Sequence, residues 1–130
     1  MATILVADDF HENRDVLCRM LRLVGHSTIS AANGQEALDM AQEHRPDLIL
    51  MDLSMPIVDG WKATTILKTT SDLRHIPIIA VTGHVTPDEI NRAISAGCAD
   101  YLAKPVDFER LLGKVASLLG DTQRPPFLSS

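Results

Sequence analysis

Short apolar runs alternate with segments of helical period along the whole chain. Thr3–Ala7 (TILVA) reads as a strand. Phe10–Val24 follows with Leu17, Met20, Leu21 and Val24 on one helical face, and Gly25 ends it. Ser27–Ala31 is a more polar strand. Asn33 caps a second helix, with Glu36 three residues on as a capping pair expects; it runs to about His44, and Pro46 stops it. Leu48–Met51 is a continuous apolar strand, Asp59–Thr69 a third helix, and Ile78–Val81 another apolar strand. Thr86-Pro87-Asp88-Glu89 starts a fourth helix, which Gly97 closes. Ala99–Ala103 is the last strand and Asp107–Leu119 the last helix.

Strict alternation of five strands with five helices predicts a parallel sheet covered on both faces. The strands that are apolar throughout belong at its centre, and the mixed second and short fifth strands at its edges. The pattern fits a doubly wound, flavodoxin-like α/β sheet with strand order 2-1-3-4-5. There is no internal repeat or low-complexity segment. Asp121–Ser130 (DTQRPPFLSS) reads as a disordered tail after a single domain over residues 1–120, or as the start of a linker.

The chain has 130 residues, 45% of them hydrophobic, enough for one domain to bury a core without disulfides or structural metal. Cys18 and Cys98 match neither a CxxC nor a zinc pattern and read as free, packed thiols. No basic leader or long apolar run stands at the start, which points to the cytoplasm and away from a membrane. A net charge of -5 and a pI of about 5.4 argue against direct binding to nucleic acid through a broad basic face.

Ligands of an open parallel sheet bind beyond the carboxyl ends of its strands. The first strand ends in Asp8-Asp9, the third in Asp52, the fourth in Thr82 and the fifth in Lys104-Pro105. Their convergence would crowd three carboxylates together. Lys104 can neutralise one; the rest call for a hard cation with oxygen ligands, or for a carboxyl that keeps its proton. The first strand-to-helix turn has no glycine-rich loop, which argues against a nucleotide or flavin phosphate held directly on the helix N-terminus. A metal beside a carboxylate, a hydroxyl and a lysine suits phosphoryl transfer, with Asp52 as nucleophile.

Asp8-Asp9, Asp52 within DLSMPIVDG (52–60), Thr82 within AVTGH (80–84) and Lys104-Pro105 together resemble the receiver domain of two-component response regulators. The resemblance covers about Thr3–Leu119 and implies the CheY-like form of the fold. It implies that Asp52 takes a phosphoryl group from a histidine kinase or histidine phosphotransfer protein. Asp9 and Asp52 would ligate Mg2+ directly, with Mn2+ as a substitute, Asp8 through a water, and the backbone carbonyl of Ser54 as a further ligand. Thr82 would hydrogen-bond the phosphoryl group, Lys104 would pair with it, and the Lys104-Pro105 bond would be cis. Thr82 and Tyr101 would form the switch that changes the surface of the fourth helix, fifth strand and fifth helix for a downstream protein target. Ser54 and His84 occupy the positions that tune phosphoryl lifetime. The donor would dock near Arg14, Val16 and Arg19 and on the loop after Lys104.

Each of these residues has a plainer reading. Asp8-Asp9 fits a helix N-cap pair, Asp52 a turn, Thr82 a strand end, Lys104 a solvated lysine and Tyr101 an edge-strand aromatic. Asp59-Gly60 reads as a turn and cap, Met55-Pro56 as a loop shaper, and Trp61 as packing; the five scattered histidines form no cluster. Two other functions compete. Haloacid-dehalogenase-like phosphatases carry a second Asp two residues after the nucleophile, where this chain has Ser54, so an enzyme turning over phosphoesters is disfavoured. A flavodoxin-like interaction module would take no phosphoryl group at all.

Overall fold

The computed structural model describes residues 2–55 and 57–120; the tail reading of 121–130 and the role given to Pro56 lie outside them. Five strands, β1 (Thr3–Ala7), β2 (Ser27–Ala31), β3 (Leu48–Asp52), β4 (Ile78–Thr82) and β5 (Asp100–Ala103), alternate with five helices. The helices are α1 (His11–Leu23), α2 (Gly34–His44), α3 (Gly60–Thr69), α4 (Pro87–Ala96) and α5 (Phe108–Leu118). All strand pairs are parallel and the order is β2-β1-β3-β4-β5, as the apolar patterning predicts.

The strand period of two splits the core into two layers. Leu5, Ile49, Met51 and Ile78 pack with Ala37 and Ala41 of α2, Ala63 and Leu67 of α3, and Ala93 of α4. On the opposite face Ile4, Val6, Leu50, Ile79 and Val81 pack with Leu17 and Leu21 of α1 and Leu111 and Val115 of α5. β3 and β4 are buried along their full length, which is why their sequences show no alternation. Trp61 packs at the edge of the first layer, with the Arg92 guanidinium 4.3 Å from its ring centroid. Cys18 and Cys98 are buried free thiols, and burial pushes the Cys98 thiol up from its ordinary value.

Four helix starts follow their sequence signals. Asn33, Asp59, Thr86 and Asp107 are N-caps whose side chains accept backbone N–H bonds from Glu36, Lys62, Glu89 and Glu109. α1 differs. Its N-cap is Phe10, without a side-chain bond, so Asp8 and Asp9 are not its caps. α2 ends on Arg45 in the left-handed region (φ 45), one residue before Pro46 takes effect. Ile57, in the loop after β3, also has a positive φ of 70. For a β-branched residue that backbone is an outlier costing on the order of 1–3 kcal/mol.

Candidate phosphoryl and cation site

The carboxyl ends of β1, β3, β4 and β5 bring the expected residues together. Oxygens of Asp8, Asp9 and Asp52 all lie within 4.8 Å of one another. Asp8 and Asp52 are buried, Asp9 is exposed, and Thr82 is buried beside them. Lys104 reaches in from the end of β5, its Nζ 3.3 Å from Asp8 Oδ2 and 3.3 Å from Asp52 Oδ2. The Lys104-Pro105 peptide bond is cis.

Backbone bonds fix Asp8, Asp52, Thr82 and the start of the Lys104 loop. Asp8 N–H donates to the Ala31 carbonyl at 3.0 Å, and Asp8 Oδ1 accepts from Phe10 N–H at 2.9 Å. Asp52 Oδ1 accepts from Ser54 N–H at 3.0 Å, leaving Oδ2 toward Lys104. Thr82 Oγ1 accepts from His84 N–H at 3.0 Å, and its carbonyl accepts from Lys104 N–H at 2.9 Å. The last bond ties the ends of β4 and β5 together, so hydroxyl and ammonium are held by one element pair.

Burial alone would lower the Lys104 pKa, but the Asp52 and Asp8 carboxylates outweigh it and hold the ammonium above the ordinary lysine value of 10.5. One cation does not balance the cluster: three carboxylates less one ammonium leave two formal negative charges. Like charges about 4 Å apart repel by on the order of 4 kcal/mol at an effective dielectric of about 20. Asp8 Oδ2 is buried without a hydrogen-bond partner, the Lys104 ammonium being beside it as an ion pair only. An all-oxygen donor set, a surplus of negative charge and an unsatisfied buried carboxylate oxygen fit a hard divalent cation.

The long-range contacts of three supporting residues escape a reading of the sequence. A side chain on Gly60 would collide with the Asp52 carbonyl oxygen, so α3 can start there only with glycine. A side chain on Gly34 would collide with the Val58 carbonyl, which joins the start of α2 to the loop after Asp52. Arg14 Nη1 donates to the Asp8 carbonyl at 2.8 Å, so its guanidinium braces the β1 end as well as lying on α1. The DG pair at 59–60 was the only local signal among these; the collisions arise from distant segments.

Tyr101 is half-buried on β5. Lys114 of α5 donates to Asp100 Oδ1 at 2.7 Å and lies 5.2 Å from the Tyr101 ring centroid. A cleft of about 400 Å3 opens between α1 and the loop after β5, with Asp8 and Lys104 in its wall beside Val16, Leu17, Pro105 and Val106.

The model of the response regulator receiver domain matches residues 4–116. The chain belongs to that family. Among curated relatives of this receiver domain, the polar-differentiation response regulator DivK of Brucella anthropi is 40% identical over 119 residues, covering 92% of this chain and 97% of its own length. Among solved structures, the Vibrio cholerae chemotaxis protein CheY4 superposes with a TM-score of 0.86 at 30% identity, over 91% of this chain and 98% of its own. The receiver domain of a Pseudomonas aeruginosa sensor histidine kinase has a TM-score of 0.85 at 34% identity, over 92% of this chain and 98% of its own. That structure holds a magnesium ion coordinated in the active site cleft. Two-component signalling is thus the setting of this receiver, and no helix among the described residues is long and apolar enough to cross a membrane.

Proposed function

We propose that this receiver is a phosphorylation-dependent switch that accepts a phosphoryl group on Asp52. The observation that carries the reading is the Lys104 ammonium at 3.3 Å from both Asp8 and Asp52, inside a cluster that Asp9 completes. Asp8, Asp9 and Asp52, with the Ser54 backbone carbonyl, are the groups that would hold Mg2+, or Mn2+ in its place. When bound, the ion supplies positive charge against the phosphoryl oxygens.

An Asp52 carboxylate oxygen attacks phosphorus, the bond from phosphorus to the donor's leaving atom breaks, and an acyl phosphate forms. Lys104 pairs with one equatorial oxygen and the Thr82 hydroxyl donates to another. Thr82, whose hydroxyl oxygen now accepts from the His84 N–H and keeps its proton free to donate, moves toward the phosphoryl group to make that bond. Tyr101 on the neighbouring strand then moves into the vacated space and changes the α4-β5-α5 surface presented to a downstream protein. Ser54 and His84, at the mouth, modulate how long the acyl phosphate lasts.

The donor is a histidine kinase or a histidine phosphotransfer protein in the cytoplasm, and the cleft between α1 and the loop after β5 is where it meets Val16 and Val106. The chain supports its own phosphorylation and slow dephosphorylation but is not an enzyme acting on external substrates, and it contacts neither nucleic acid nor membrane. Incubation with acetyl phosphate and Mg2+ tests the reading. Intact mass should rise by one phosphoryl group in the wild type and not in D52N. No gain favours a plain interaction module, and steady phosphate release from phosphomonoesters favours a hydrolase.

A further inference from the structure

Asp52 is 3% exposed and Asp8 1%, so phosphorus reaches them only through the mouth at the carboxyl edge of the sheet. Acetyl phosphate is small enough to enter without leaning on the rim. A phosphohistidine carried on a protein is not: the imidazole is short, so its parent helix must come down onto the surrounding loops.

Each of three of those loops exposes one large apolar side chain among its polar ones. Phe10 after β1, Ile57 after β3 and Val85 after β4 are all exposed large hydrophobics. Exposed apolar groups gathered around a polar recess mark a contact surface. Ile57 is the extreme case, 80% exposed and with φ 70. Asparagine or glycine would occupy that backbone without strain, and so exposed a side chain contributes little to this chain's own core. The loop conformation is imposed by the residues that follow, through the Asp59 cap on α3 and the Val58 carbonyl against Gly34. Isoleucine therefore bears a backbone cost at a place where only a second molecule can use its side chain. Strain of this kind gathers at functional sites.

We propose that Ile57 is a docking and specificity residue for the phosphodonor protein, packing against apolar side chains that flank the histidine on the donor's helix. The inference rests on the phospho-acceptor reading above. The occupant follows from continuity with that site: Phe10 and Ile57 stand on the loops of adjacent strands β1 and β3, whose ends supply the acids. A helix laid over this edge buries apolar flanks on both while its histidine points at Asp52.

The test compares two donors on I57G and I57N. One is acetyl phosphate. The other is the autophosphorylated histidine kinase core that transfers fastest to the wild-type chain among the kinases of the same genome. Both variants should label with acetyl phosphate at the wild-type rate and unfold at or above the wild-type temperature. Transfer from the kinase should lose roughly tenfold in kcat/KM, the size expected of a truncated interface anchor, and I57V should restore most of it. Unchanged kinase transfer overturns the proposal. So does an equal loss with both donors, or a lower unfolding temperature, since either marks a structural role. If the wild type takes nothing from acetyl phosphate, the phospho-acceptor reading itself has failed, and that result is distinct from the others.

Discussion

Gly60 lies so close to the backbone of Asp52 that any Cβ on it would run into the Asp52 carbonyl oxygen. The first residue of α3 thus sets where the strand carrying the candidate nucleophile ends. The opposing atom is backbone and cannot swing away. G60A should destabilise the chain by about 1–3 kcal/mol, the usual cost of overpacking, and slow acetyl-phosphate labelling of Asp52. Urea unfolding and labelling kinetics on the same preparation check this.

Divalent cation should stabilise the chain through the acid cluster. With Asp8 Oδ2 unsatisfied and negative charge in surplus, binding to the folded state alone raises stability by about 2.7 kcal/mol at roughly a hundredfold excess over Kd. Mg2+ should raise the unfolding temperature of the wild type, EDTA should reverse it, and D9N should abolish most of the shift. Trp61 is the only tryptophan and sits in the first turn of α3, so its fluorescence provides an independent titration.

Lys104 makes stability depend on alkaline pH. Burial opposes its charge, but Asp52 and Asp8 raise its pKa above 10.5 in the folded chain. A raised folded pKa means that the stabilisation is fully present below the unfolded value and is lost as pH climbs through the folded one. The difference in unfolding free energy between wild type and K104M, in metal-free buffer, should be flat from neutral pH to about 10 and shrink above that. A difference that shrinks instead between pH 6 and 9 would contradict this assignment.

Thr82 separates acceptance of the phosphoryl group from the response to it. Its hydroxyl is held by the His84 N–H, not by an acid. T82A should still take a phosphoryl group on Asp52, but more slowly, by up to roughly the 10²–10³-fold that one lost transition-state hydrogen-bond donor costs. The Tyr101 ring resonances should shift on phosphorylation of the wild type and stay in place in T82A.

Much of this was legible because each signal was local or periodic. Continuous apolar runs at Leu48–Met51 and Ile78–Val81 placed β3 and β4 at the centre, and Asn33, Asp59, Thr86 and Asp107 started the helices that they cap. Strand ends then located Asp8, Asp9, Asp52, Thr82 and Lys104 at one edge, because parallel strands all finish on the same side. What stayed hidden depends on segments far apart in the chain. The brace from Arg14 to the Asp8 carbonyl, the collision that reserves Gly34 for the Val58 loop and the one that reserves Gly60 for Asp52 carry no spacing rule. The backbone of Ile57 was illegible for the opposite reason: local preference opposes a positive φ at isoleucine, and the surrounding loop overrides it.

Borohydride reduction of the phosphorylated chain, followed by peptide sequencing, tests the acceptor assignment most directly, because an aspartyl phosphate is converted to homoserine where it stood. Homoserine should appear at position 52 when acetyl phosphate and Mg2+ are both present, and disappear when Mg2+ is chelated. Homoserine at Asp8, Asp9 or Asp59, or none anywhere, would contradict it.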